Sequence, residues 1–333
     1  MRVSFNEMLT VMQTCLLKYG VNEDIAKECA HNLAENSLSG VYSHGLNRFP
    51  RVIAMLKNGH IKPNNRPTCL EAFAALERWD GNLGMGNTNA IFTMNRAINL
   101  AENYGVGTVA LRNTNHWQRG GAFGVQAAKA GYIGLCFSNT MPNMPAWGAT
   151  DRRLGNNPLV LCLPYKDDYV MIDSAMSQFS YGALERARLE GKELPVAGGY
   201  DSHNNLSTNP AAIEETKRLL PMGFWKGSGF SILLDLLAAT LAGGLAVCDI
   251  GRQGNTPTDE YNLSQIFIAI KVNDKAANDQ LVSRVIADIK ASLPMNATSP
   301  VLYPSERQKE LYRQNSQLGI PVNKTIWENV LSL

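Results

Sequence analysis

Apolar positions near the start of the chain recur with helical spacing. Phe5, Met8, Leu9, Met12 and Leu16 fall on one stripe, and Ser4 with Glu7 forms a capping-box pattern ahead of it. Gly20 stops that helix. Asn22 is placed to cap the next one, which carries Ile25, Cys29 and Leu33 on one side. A third helical stretch closes at Lys57-Asn58-Gly59. Further on, Ala90, Ile91, Met94, Ala97, Ile98 and Ala101 form a strong stripe that ends at Tyr104-Gly105. Short apolar runs predict strands at Gly107–Leu111, Ile133–Ser138, Leu159–Leu163 and Tyr169–Asp173. A helix from about Ser228 to Ala242 follows, then a strand over Gln265–Val272, then helical segments to the end. The polar stretch Gly198–Pro210 reads as a long loop. Helices and strands mix throughout, so the class is mixed α/β.

Composition narrows the function classes. The 333 residues are 45% apolar, enough to bury a sizeable core, and the formal net charge is only +2. With no excess or clustering of Lys and Arg, a nucleic-acid sleeve or polybasic membrane binder is not expected. The N-terminal apolar residues are interrupted by Asn6, Glu7, Gln13 and Thr14, which argues against an export signal. The longest apolar stretch, Ser231 to Val247, holds Asp235 and is broken at Gly243-Gly244, so a core helix is expected rather than a membrane span. Six dispersed cysteines with no CxxC pair read as reduced thiols of a cytoplasmic protein.

The glycines offer one tempting motif. Gly84-Met85-Gly86 opens a helix but lacks a third glycine, and it follows Trp79-Asp80-Gly81-Asn82 rather than an apolar strand. A turn and helix start is the expected reading, not a Rossmann fingerprint. Arg119-Gly120-Gly121 and Lys226-Gly227-Ser228-Gly229 are better placed for anions, each setting a basic side chain beside glycines at a predicted helix start. Simple helix entry explains either equally well.

Two of the five histidines stand out by their company. His44 lies among Tyr42, Ser43, Asn47, Arg48 and Arg51, and His116 follows a predicted strand within Arg112-Asn113-Thr114-Asn115-His116-Trp117. Reducing a ketone places negative charge on its oxygen, and an imidazole titrating near neutrality suits the proton transfer. Arg48, one turn beyond His44 if the segment coils, offers a fork for a carboxylate. A capping or buried structural histidine is the plainer alternative. Neither HExxH nor GxSxG occurs, which leaves zinc and serine-hydrolase chemistry without a signature and predicts no metal.

Taken together, GVYSHGLNRFPR, NHWQRGGAFGVQAAKAGYIG, MPAWGA, GNNPL, SQFSYGALERARLEGKELPVAGGYD, LPMGFWKGSGFSILLD and Pro304-Ser305-Glu306-Arg307 resemble the malate/L-lactate dehydrogenase family of the second, non-Rossmann type. The similarity runs from the first helix to the C-terminus. It implies a non-Rossmann NAD(P)-binding domain with a central, largely antiparallel or mixed sheet. That domain would span 76–274, with a helical segment 1–75 packing against a helical segment 275–333. It also implies a homodimer with the active site between domains.

The activity so implied is nicotinamide-dependent reduction of a small 2-oxo sugar acid, with NADH preferred over NADPH. Malate, lactate or ureidoglycolate are alternative substrates, and a non-catalytic sugar-acid binding protein is a remote one. His44 matches the proton donor; Ser43, Arg48 and His116 match positions around the substrate, with Arg48 on its carboxylate. Relatives differ over which histidine is the main acid–base group. For the cofactor, the matching residues are Tyr169, Val170, Met171, Ile172, Asp173, Ser174 and Ala175, then Trp225 and Lys226, then Ser305, Glu306 and Arg307. Lys226 can meet phosphate, Trp225 can pack on a ring, and Glu306 can accept from a ribose hydroxyl. Trp225 as a core residue and Asp173 as a turn cap are the plainer readings. Ser305 stands where glycine is common, which places a side chain beside the cofactor path.

Overall fold

The computed structural model describes residues 1–254, 256–296 and 300–333. Its helices are α1 (Phe5–Lys18), α2 (Glu23–Leu38), α3 (Phe49–Lys57), α4 (Gly86–Tyr104), α5 (Gly121–Lys129), α6 (Tyr181–Leu189), α7 (Pro210–Thr216), α8 (Trp225–Ala242), α9 (Val247–Ile250), α10 (Lys275–Lys290), α11 (Glu306–Leu318) and α12 (Lys324–Ser332). The strands of the main sheet are β1 (Thr68–Phe73), β2 (Leu76–Asp80), β3 (Val106–Asn115), β4 (Tyr132–Ser138), β5 (Leu159–Tyr165), β6 (Asp168–Ser174) and β7 (Tyr261–Lys271).

The apolar stripes of the first helices do what their spacing predicts. Met8, Met12, Leu16, Ile25, Leu33, Phe49 and Ile53 share one buried cluster with Ile320, Trp327 and Val330 from the end of the chain. Ser4 caps α1 by accepting the Glu7 amide at 3.1 Å. By contrast, α10 docks on the β5–β6 turn, where Asn278 Nδ2 donates to the Pro164 carbonyl at 2.8 Å.

The seven-stranded sheet has the order β1-β2-β3-β7-β4-β5-β6. Only β2 and β3 run parallel; every other pairing is antiparallel, so the sheet is mixed. The late strand β7 inserts between β3 and β4 and is apolar on both sides, as a central strand must be. Phe267 packs with Val109, Cys136, Val160 and Phe123 beneath α4 and α5. Its neighbour Ile266 packs with Ala110, Phe137, Leu234 and Ala238 beneath α8. On that second face the cover is incomplete. Leu161 and Ile172, opposite each other on β5 and β6, are exposed, as are Phe230, Leu233, Leu236 and Leu237 on α8.

Three elements differ from the sequence reading. The hairpin β1–β2 has no apolar alternation to announce it, because every β1 residue is exposed. The 198–210 stretch is not loop throughout: Gly199 and Tyr200 pair with Ser207 and Leu206 in a small hairpin. Helix α8 starts at Trp225, three residues before Ser228. The six cysteines are free thiols, four of them buried.

The Gly84-Met85-Gly86 segment is a helix start, as expected, with a steric task. A Cβ on Gly86 would stand 2.4 Å from the His116 carbonyl oxygen. Gly86→Ala should therefore cost about 1–3 kcal/mol in urea unfolding, since neither backbone can yield without displacing the other.

Candidate active site

Beyond α2 the chain makes two short 3-10 turns, Tyr42–His44 and Leu46–Arg48, joined at Gly45. Gly45 is needed because a Cβ there would lie 2.1 Å from Ser37 Oγ. That hydroxyl instead accepts the Leu46 amide at 2.8 Å, and Asn36 Nδ2 donates to the His44 carbonyl at 3.0 Å. The His44 backbone is thereby pinned to α2. Its Nδ1 lies 3.0 Å from Ser43 Oγ. A hydroxyl can donate to a bare Nδ1 or accept from a protonated one, so this bond survives a change in protonation.

His116 arrives from the end of β3, and its ring stacks on that of His44 with centroids 5.7 Å apart and planes 23° apart. The Gln118 amide donates to His116 Nδ1 at 3.0 Å, which leaves a neutral ring's proton on Nε2. Gln118 adopts a left-handed φ of 69° to make that contact.

Cations crowd this pair. Arg48 Nη2 lies 2.9 Å from Glu260 Oε2, and Arg51 reaches the same oxygen at 3.4 Å. Arg119, three residues past His116, is buried. Burial, then the charges of Arg48, Arg119 and Arg51, push the His44 imidazole down to about 3. Burial and the charge of Arg48 likewise hold His116 well below the usual imidazole range. Burial and Arg51 bring the Arg48 guanidinium down to about 10, against the pull of Glu260. At neutral pH both imidazoles are therefore uncharged. His44 does not titrate near its ordinary value as the sequence suggested. Without ligand it is ready to accept a proton, and it needs a nearby anion before it can hold one to donate.

The stretch Tyr169 to Ser174 lies in β6, the edge strand of the sheet, with Ala175 just beyond. The Tyr169 carbonyl points off the edge, where Lys309 Nζ donates to it at 2.5 Å and Ser305 Oγ at 3.5 Å. At the other end, Met176 accepts the Met222 amide at 2.8 Å, three residues before Trp225. Ser305 and Trp225–Lys226 thus flank a segment roughly 20 Å long. Trp225 is 66% exposed, so it is not core, and Lys226 beside it is also exposed. Asp173 caps a helix rather than a turn after its own strand: its Oδ2 accepts the Gly121 amide that opens α5, at 2.8 Å. Glu306 is held by Lys290 at 2.5 Å, and Arg307 is exposed. Ser305 has φ 74°, a backbone that favours glycine. A cleft of about 930 Å³ opens between α2 and α5, lined by Asn32, Asn36, Arg119, Gln126, Tyr169 and Lys309 among others.

The malate/L-lactate dehydrogenase family model matches residues 3–331. The chain belongs to the malate/L-lactate dehydrogenase family. The 2,3-diketo-L-gulonate reductase of Mannheimia succiniciproducens is 43% identical over 336 aligned residues, covering 100% of both chains. The sulfolactate dehydrogenase of Methanocaldococcus jannaschii superposes with a TM-score of 0.90 at 27% identity, over 100% of this chain and 98% of that one. The Entamoeba histolytica malate dehydrogenase, at 24% identity, shares the fold with a TM-score of 0.93 over 100% of this chain and 97% of its own. This malate/L-lactate dehydrogenase family member is an oxidoreductase, and membership implies a nicotinamide cofactor and a small-molecule substrate. Among the described residues, no helix is long and apolar enough to cross a membrane.

In this dehydrogenase the structure brings Ser43, His44, Arg48 and His116 into one site. It adds Arg51, noted in the sequence only as polar company of His44, and Glu260, Asn36 and Lys309, which sequence reasoning missed. Lys309 follows Ser305 by one helical turn, a spacing that could have pointed to it. Glu260 lies 212 residues from Arg48, and no local pattern links them. In ligand-free protein, neither the His44 nor the His116 ring proton resonances should show an inflection between pH 5 and 8. NMR titration, assigned with His44→Gln and His116→Gln, reads this directly.

Proposed function

We propose that this dehydrogenase reduces 2,3-diketo-L-gulonate to 3-keto-L-gulonate with NADH, in the cytoplasm and as a homodimer. The observation that carries the reading is the pair of neutral imidazoles beside three guanidiniums, an excess of positive charge suited to a carboxylate-bearing carbonyl substrate. The full-length likeness to diketogulonate reductases supports that acid over malate or lactate.

The cofactor path runs along β6 between Ser305–Arg307 and Trp225–Lys226. The residues there suit a dinucleotide: an open strand edge, an exposed lysine, an exposed indole and a buried arginine nitrogen without a partner. Glu306 supports NADH over NADPH, because a carboxylate accepts from a ribose hydroxyl and repels a phosphate in its place. When bound, the reduced nicotinamide supplies the hydride for the C2 carbonyl carbon. Arg48 grips the substrate carboxylate with the part of its fork that Glu260 leaves free. That anion offsets the guanidinium field at His44, and the imidazole takes up a proton and donates it to the C2 oxygen. Ser43 holds Nδ1 through the transfer, and His116 flanks the carbonyl. In the reverse direction, neutral His44 accepts the hydroxyl proton.

The uncovered half of the sheet supports the homodimer. An α8 that leaves Phe230, Leu233, Leu236 and Leu237 exposed has to be covered, and a second copy brings a matching surface. The four buried and two exposed free thiols suit a reducing compartment.

Purified protein with NADH and diketogulonate should lose the reduced-nicotinamide absorbance, and His44→Ala should slow turnover about 10²–10⁴-fold. With His44 down at about 3, kcat/KM for reduction should fall about tenfold per pH unit between pH 6 and 8, while that for oxidation stays level. No turnover with any member of a 2-oxo acid panel sinks the reading; a preference for malate or lactate moves the substrate but keeps the chemistry. Sedimentation should give twice the monomer mass, and Leu233→Glu with Leu237→Glu should halve it.

A further inference from the structure

Arg119 is 5% exposed, yet its Nη2 is fully buried without a hydrogen-bond partner. Its neighbours explain why. The Oδ2 of Asp173 accepts from the first amide of α5. Tyr169, whose phenol lies against Arg119, offers a neutral group only. A buried guanidinium with a free end is among the costlier arrangements in a folded chain, and such groups persist where a ligand completes them.

The backbone places it deliberately. Gln118 is held at φ 69° by its amide on His116 Nδ1 and its Nε2 on the His116 carbonyl, at 3.0 and 3.1 Å. The strained turn that orients His116 also sends the next side chain into the cleft between α2 and α5. From there its charge acts on His44 on one side and on Tyr169 of β6 on the other. We propose that Arg119 is an oxyanion-binding residue of this active site, taking a carboxylate or phosphate oxygen of the bound ligand between His44 and β6.

Which ligand supplies the oxygen rests on the reductase reading above; that an oxyanion binds there does not. The two sources are separated by binding titrations that need no turnover. NADH is titrated by nicotinamide fluorescence, and tartronate, an unreactive dicarboxylate, by calorimetry on the NADH-loaded protein. Arg119→Gln should weaken one of the two at least tenfold and leave the other within about twofold. Arg119→Lys, which keeps the charge but not the fork, should recover part of the loss. Loss in the tartronate arm assigns the substrate carboxylate; loss in the NADH arm assigns a cofactor phosphate. Both affinities within twofold of wild type in folded Arg119→Gln overturn the proposal. If that variant does not fold, the wild-type crystal with NADH and tartronate decides. A ligand oxygen within 3.5 Å of the guanidinium upholds the proposal, and none there overturns it.

Discussion

Positive charge concentrated against two uncharged imidazoles is the constraint around which the rest of this protein is arranged. Arg48 and Arg51 converge on Glu260, while Arg119, whose charge also reaches His44, keeps a buried Nη2 without a hydrogen-bond partner among the described residues. Such a cluster is tolerable only if the scaffold holds it rigidly, because each guanidinium loses hydration and repels the others. The consequence is a site that is incomplete without an anion. It is neutral at the histidines and cationic around them, so it carries a proton only once a negative charge arrives.

The scaffold answers this demand with close backbone contacts at the places that bear the imidazoles. Gly45 lets the two turns after α2 sit on Ser37, and Gly86 lets α4 press on the carbonyl of His116. Each histidine is then fixed by a residue close to it in sequence: Ser43 at Nδ1 of one, the Gln118 amide, two residues on, at Nδ1 of the other. Backbone, not long side chains, sets the spacing of the two rings. The charged groups, on longer stems, are placed afterwards by their pairing with Glu260.

A second consequence concerns the sheet. An edge strand is usually a liability, and natural sheets cover or charge it. Here Lys309 and Ser305 cap β6 at Tyr169, Lys309 also pairing with Asp168, and the strand carries the segment expected to meet the cofactor. The opposite hazard, the bare apolar half-face of β5, β6 and α8, lies on the other side of the same strands. One face of this corner thus borders a ligand cleft and the other invites a second protein surface.

Much of this was legible in residues 1–60 and 90–101, where apolar stripes recur at helical spacing and the structure has helices with those faces buried. The strands at 133–138 and 265–272 were legible because burial on both faces makes a run of apolar residues visible without context, and those at 159–163 and 169–173 because their apolar runs persist although one face is left exposed. The fully exposed β1 leaves no such trace, and the small hairpin at 199–207 is hidden by its polar composition. For the site, the sequence alone picked out His44 and His116 by their polar company, and Arg119 by its glycines. It could not say that the two rings stack, that both are uncharged, or that Arg48 is already paired. Those properties depend on distance in space, with Glu260 brought from 212 residues away, and on the depth at which each charge is buried. Local spacing encodes which faces are apolar; only the folded chain decides which charges meet and how much water is left between them.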